Sequence, residues 1–202
     1  MFFPGIISLV MVMSFVFERG MGWSFISFGI EPRHFHGLLG IFFTLFIHSD
    51  LGHLFGNVFA FFVLSTSLYY FYTSLSNKIL VLSFIISGVL LWIIGRESYH
   101  IGASGVVFAL SSFLFISGII RKHIPLIALS LIVVFLYGNN VWHLFPWLPN
   151  DPVSWEGHLA GGMTGFILAI VFRKEGPQRP VKIWEEDLSD EEFTDWEENV
   201  IR

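Results

Sequence analysis

Three short stretches of this chain carry polar side chains in an otherwise apolar setting: "HSDLGHLFGN" at residues 48–57, "HIGASG" at 100–105 and "GHLAGGMTG" at 157–165. In the first, His53 and Asn57 are four apart, one helical turn on one face, so an imidazole and a carboxamide can be aimed at one point. His48, five residues before His53, falls off that face. Asp50 suits the N-cap of the same helix, where its carboxylate accepts from free backbone N–H groups. In the second, Ser104 is flanked by Gly102-Ala103 and Gly105. At a helix start its hydroxyl would lie beside unpaired N–H groups, which suit an oxyanion. In the third, Gly161 and Gly165 form a G-x-x-x-G face for close helix contact, and His158 falls near that face one turn earlier. Each stretch has an ordinary explanation: a polar helix end tied to a loop, a serine N-cap with small-residue packing, a structural histidine. Together they are the parts of acyl transfer: a nucleophile, a base and donors for a developing negative charge.

The composition says what kind of elements must hold these residues. The 202 residues are 54% hydrophobic and 13% charged, with 24 Phe. A soluble domain carries about 25% charged residues, so an all-α polytopic membrane protein is expected. There is no cysteine, which excludes disulfides and thiolate metal sites. Apolar spans at 4–17, 51–73, 79–95, 104–120, 124–138 and 158–173 predict six transmembrane helices. Several are shorter than the roughly 20 residues that cross a bilayer, and the apolar 37–47 is better placed as an interfacial or re-entrant piece. The first span lacks a basic start and an A-x-A-like site, so it is expected to be a membrane helix and not a signal peptide.

Two regions follow. Residues 1–174 form the membrane domain, and 175–202 an acidic tail with ten acids against three bases, expected to be solvated and disordered or a short helix. No basic stripe for nucleic acid remains. With six spans, eight Lys and Arg fall on the side of the termini and Arg19, Arg33 and Arg96 on the other, so both termini are expected to be cytoplasmic. Ser104, His158 and the His53/Asn57 pair then lie near extracytoplasmic helix ends.

The ordered set "HSDLGHLFGN", "GASG" and "GHLAGGMTG" resembles the rhomboid family of intramembrane serine proteases, over about residues 4–173. That family carries H-x-x-x-x-H-x-x-x-N in its second helix, G-x-S-G opening the fourth and H-x-x-G-x-x-x-G in the sixth. The resemblance implies a six-helix rhomboid-like bundle in a bacterial cytoplasmic membrane. It implies Ser104 as nucleophile, His158 as its base, and His53 and Asn57 as oxyanion-hole residues. His48 would brace the loop over the site. Gly102 matches the first glycine of G-x-S-G. The chain departs from the pattern in two places. The Trp-Arg pair that some members use in the first long loop is missing, with "GIEPRHFHGLLG" in its place. The tyrosine that often follows the serine by four is Phe108, which keeps the ring and loses the hydroxyl.

The expected activity is cleavage of transmembrane protein substrates by a Ser-His dyad, with no metal and no cofactor. A non-catalytic rhomboid-like protein that binds or escorts membrane proteins is the main rival; such relatives usually lose the serine or the histidine, and both are present. A transporter is a second rival, but no internal repeat or paired mid-membrane charge marks one. A zinc protease would need H-E-x-x-H, which is missing.

Overall fold

The computed structural model describes residues 2–137 and 154–178. The connection through 138–153 and the acidic tail beyond 178, with the disorder or docking helix expected there, lie outside the described residues. Among the described residues, six longer helices follow in order: α1 (Phe2–Met21), α2 (Leu51–Phe71), α3 (Ser76–Ile94), α4 (Ser104–Arg121), α5 (Ile124–Tyr137) and α6 (Trp155–Val171). No strand occurs among the described residues; the one isolated bridge pairs Ile30 with His100. α1, α2, α3 and α4 are long and apolar enough to span a membrane. α5 and α6, at 14 and 17 residues, rise only about 21 and 26 Å. The 37–47 stretch is short helical pieces, a single α-turn at Gly40–Phe43 between two 3₁₀ turns.

The helix ends follow from local chemistry. Asp50 caps α2 with its side chain and Ser154 caps α6. Gly95 ends α3 in an extended conformation. Lys122, at φ 50, turns the chain out of α4 in the left-handed region. Between its ends α4 is the axis of the bundle: Ala109, Leu110, Phe113 and Leu114 have no exposure. Large apolar side chains such as Phe55, Phe59 and Phe135 point outward. A water-soluble surface would not leave so many uncovered, and hydrocarbon is the solvent that accepts them.

At the end of α4 opposite Ser104, polar side chains join three helices. Tyr72 donates to Ser117 at 3.0 Å. Arg121, buried, donates to Ser117 and to the carbonyls of Phe172 and Pro177 at 2.8–3.0 Å. A buried guanidinium with its donors met in this way ties the α2 and α6 ends to α4 without leaving an uncompensated charge.

Candidate active site

The site is built where α4 and α6 touch. A β-carbon on Gly161 would run into the Gly105 carbonyl oxygen, and one on Gly165 into the Ala109 carbonyl oxygen. The two backbones are therefore in direct contact along this seam, and Ser112 donates across it to the Gly162 carbonyl at 2.9 Å. This contact fixes the register of α6. His158, one turn before Gly161, is buried and stacks on Phe108 with ring centroids 4.3 Å apart and planes 13° from parallel. Phe108 lies one turn after Ser104 on α4, so the stacked imidazole faces the same seam as Ser104.

Ser104 is the first residue of α4. The N-cap is Ala103, which supplies no side-chain bond, so the Ser104 hydroxyl is not spent on capping. Its N–H is among the first-turn donors without a helical acceptor. Gly102, at φ 102, occupies the left-handed region and donates its N–H to the Thr44 carbonyl at 2.9 Å. A β-carbon there would lie 2.6 Å from His53 Nε2 and 3.5 Å from Asn57 Nδ2. The structure thus brings His53 and Asn57 onto the segment that carries Ser104. Gly105 differs from Gly102, Gly161 and Gly165: a β-carbon would meet its nearest neighbour, the Gly157 carbonyl oxygen, at an ordinary 3.5 Å.

The first turn of α2 holds the His53 ring. Ser49 Oγ lies 2.7 Å from Asp50 Oδ2 and 3.1 Å from His53 Nδ1, leaving Nε2 towards Gly102. Asp50 Oδ1 accepts the His53 N–H at 2.9 Å, the capping role its position suggested. That hydrogen bond, then Ser49, holds the Asp50 carboxyl below the usual range. Asp50→Asn keeps an oxygen for the cap, and its activity is expected to stay within about tenfold of the parent. Asp50→Ala should lower the thermal midpoint by roughly 2–4 °C. A thousandfold loss of kcat in the Asn variant at unchanged midpoint would make the carboxylate catalytic.

His48 packs edge-on against His53, centroids 5.1 Å apart, and is 1% exposed. Burial, and then the neighbouring His53, push its pKa down to about 4. The unfolded chain takes up this proton near pH 6.5. Between pH 6.5 and 4 the unfolded state binds more protons, so stability is full above about 6.5 and falls as the pH drops, by about 3 kcal/mol from this residue. Thermal midpoints at pH 7 and pH 5 check this, and the slope should be shallower in His48→Phe.

His100, the first residue of "HIGASG", has no role that the sequence pattern assigns. Its Nδ1 lies 2.6 Å from Ser154 Oγ, the cap of α6, and its Nε2 lies 3.0 Å from the Arg96 carbonyl. Its own carbonyl accepts from Thr44 Oγ1 and from the Ile30 N–H. One residue therefore joins the first loop, the serine segment and the α6 start. Its only sequence signal was a histidine four residues before the serine. Ser104 lines a cavity of about 30 Å³ that Ser87, His100, Ser154 and Thr44 also line, large enough for a water molecule and with polar partners in its wall.

The first loop is tied to the end of α3 by residues from two segments. Arg33 donates through Nη1 to the Gly95 carbonyl at 2.6 Å and through its N–H to the Trp92 carbonyl at 3.1 Å. Trp92 Nε1 donates to the His34 carbonyl at 2.9 Å.

A helical membrane bundle with a serine, a stacked histidine and a histidine–asparagine pair meeting at one end is the class these observations define. The family model for the Rhomboid domain matches residues 36–175, and the chain belongs to the rhomboid family. It is similar to uncharacterized proteins of Mycobacterium bovis and Mycobacterium tuberculosis, 30% identical over 161 residues, covering 76% of this chain and 66% of theirs. A Mycobacterium leprae protein, also uncharacterized, is 29% identical over the same length, with 62% of it covered. The chain thus spans about two thirds of the length of these relatives.

Proposed function

We propose that this chain is an intramembrane serine endopeptidase that cleaves transmembrane segments of membrane proteins with Ser104 and His158 as its dyad. The observation that carries the reading is the stack of His158 on Phe108, one turn from Ser104, on helices in backbone contact. Ser104 Oγ attacks the scissile carbonyl and His158 takes its proton. The negative charge that forms on the carbonyl oxygen is met by the Ser104 N–H, His53 and Asn57. His158 returns the proton to the leaving amine. A water then attacks the acyl-enzyme with His158 again as base, releasing the acid and restoring Ser104. Both termini are placed on the cytoplasmic side by the Lys and Arg balance, which puts the site towards the other face.

The test is cleavage of a single-span model substrate by the purified protein in detergent, beside a Ser104→Ala control. No cleavage by either would favour a binding or escort role. His53→Ala and Asn57→Ala should each lower kcat by about 10²–10³ with smaller changes in KM, as loss of one oxyanion donor does; unchanged kcat in both would remove the oxyanion assignment.

A further inference from the structure

The first loop gathers a second set of chemically capable groups away from Ser104. Glu31, His34 and His36 each offer one ligand atom, and these atoms lie within 4.8 Å of one another. His36 Nε2 is paired with Glu31 Oε2, and His34 Nε2 lies 4.0 Å from Glu31 Oε1. The two imidazole rings are 5.4 Å apart between centroids. Their side chains are about half exposed, so water has access and the rings can turn.

The backbone beneath them is held from several sides. Arg33, at φ 63, turns the chain so that His34 comes back beside Glu31, in a conformation that L side chains rarely adopt. Arg33 is bound to Gly95 and Trp92, and Trp92 to the His34 carbonyl. Gly37 packs directly on the Glu31 backbone, where a β-carbon would lie 2.7 Å from its nitrogen. A solvent-exposed ion pair contributes little by itself and does not require such bracing.

From this arrangement we propose that Glu31, His34 and His36 form a binding site for a zinc-class divalent cation, distinct from the serine site. Two imidazoles and one carboxylate suit zinc and its neighbours in the transition series, and disfavour calcium and magnesium, which take oxygen ligands. Ligands about 2.1 Å from a tetrahedral ion sit roughly 3.4 Å from each other. A small rotation of the exposed His34 ring brings it in, and the directly paired His36 and Glu31 atoms part to admit the ion. Water completes the coordination.

The experiment uses the full chain in detergent, with any histidine tag removed, and zinc ion as the probe. After dialysis against zinc and then buffer, metal analysis should find about one zinc per wild-type or His158→Ala chain and none at that level in His34→Gln/His36→Gln. Zinc should raise the thermal midpoint of the wild type and leave that of the double variant unmoved. Glu31→Gln, which keeps the side-chain shape, should weaken zinc binding at least about tenfold. Equal zinc retention by the double variant, or unchanged affinity in Glu31→Gln, overturns the site. So does a wild-type midpoint that zinc does not move.

Discussion

Ser104→Ala and His158→Ala are each expected to lower kcat on a model substrate by about 10⁶, as loss of either member of a serine–histidine pair does elsewhere. The two changes should not multiply. With the nucleophile gone, a base has no proton to remove, and without the base a neutral hydroxyl is a poor nucleophile. The double variant should therefore match either single variant within about tenfold. Ser104→Ala removes one oxygen atom and should keep helicity and thermal midpoint; His158→Ala should keep helicity and lower the midpoint, since a buried ring stacked on Phe108 is lost. Activity in Ser104→Ala above one part in a hundred of the parent would end the serine mechanism, and a multiplicative double variant would mean that the two residues act separately.

Gly161→Ala is expected to lower stability by about 1–3 kcal/mol and kcat by about 10² or more. The added methyl meets the Gly105 carbonyl oxygen and, at 3.0 Å, Phe108 Cβ. The first is backbone and cannot rotate away. α6 must move outward, taking His158 from its place against Phe108, and a displacement of about 1 Å at a reacting group costs about a hundredfold in rate. Gly105→Ala is the control, since its methyl finds ordinary contact distances and the thermal midpoint should hold. Thermal unfolding and kcat measured on the pair decide it: equal behaviour of the two variants would show that backbone contact at Gly161 does not set the register.

The sequence carried the helices and the seam well because both rest on local patterns. The start of α2 at Leu51 and of α4 at Ser104 coincides with the expected spans, since Asp50 and the glycine-flanked serine are readable as starts. The Gly161/Gly165 spacing identified a contact face that the packing contains. Gly105, beside the serine, has room that Gly161 lacks, because clearance depends on the facing helix and not on the residue type. The first loop was least legible. Its order comes from Gly40 against Gly29, Gly37 against Glu31 and Ile30 paired with His100, contacts between backbone atoms that leave no periodicity. His100 and Ser154 escaped for a related reason: each is a single polar residue whose partner is far along the chain.

The position of His100 sets the order in which this molecule can be assembled. It meets Thr44, 56 residues before it, and Ser154, 54 residues after it. Each contact closes a long stretch of chain, and the entropy of closure must be met before the contact contributes anything. Helices form from neighbours along the chain and need none of this. The serine segment is therefore expected to take its shape last, so a chain with all its helices in place can still lack the Ser104 site. During refolding from denaturant, ellipticity is expected in the early phase and the proposed hydrolytic competence in the late one.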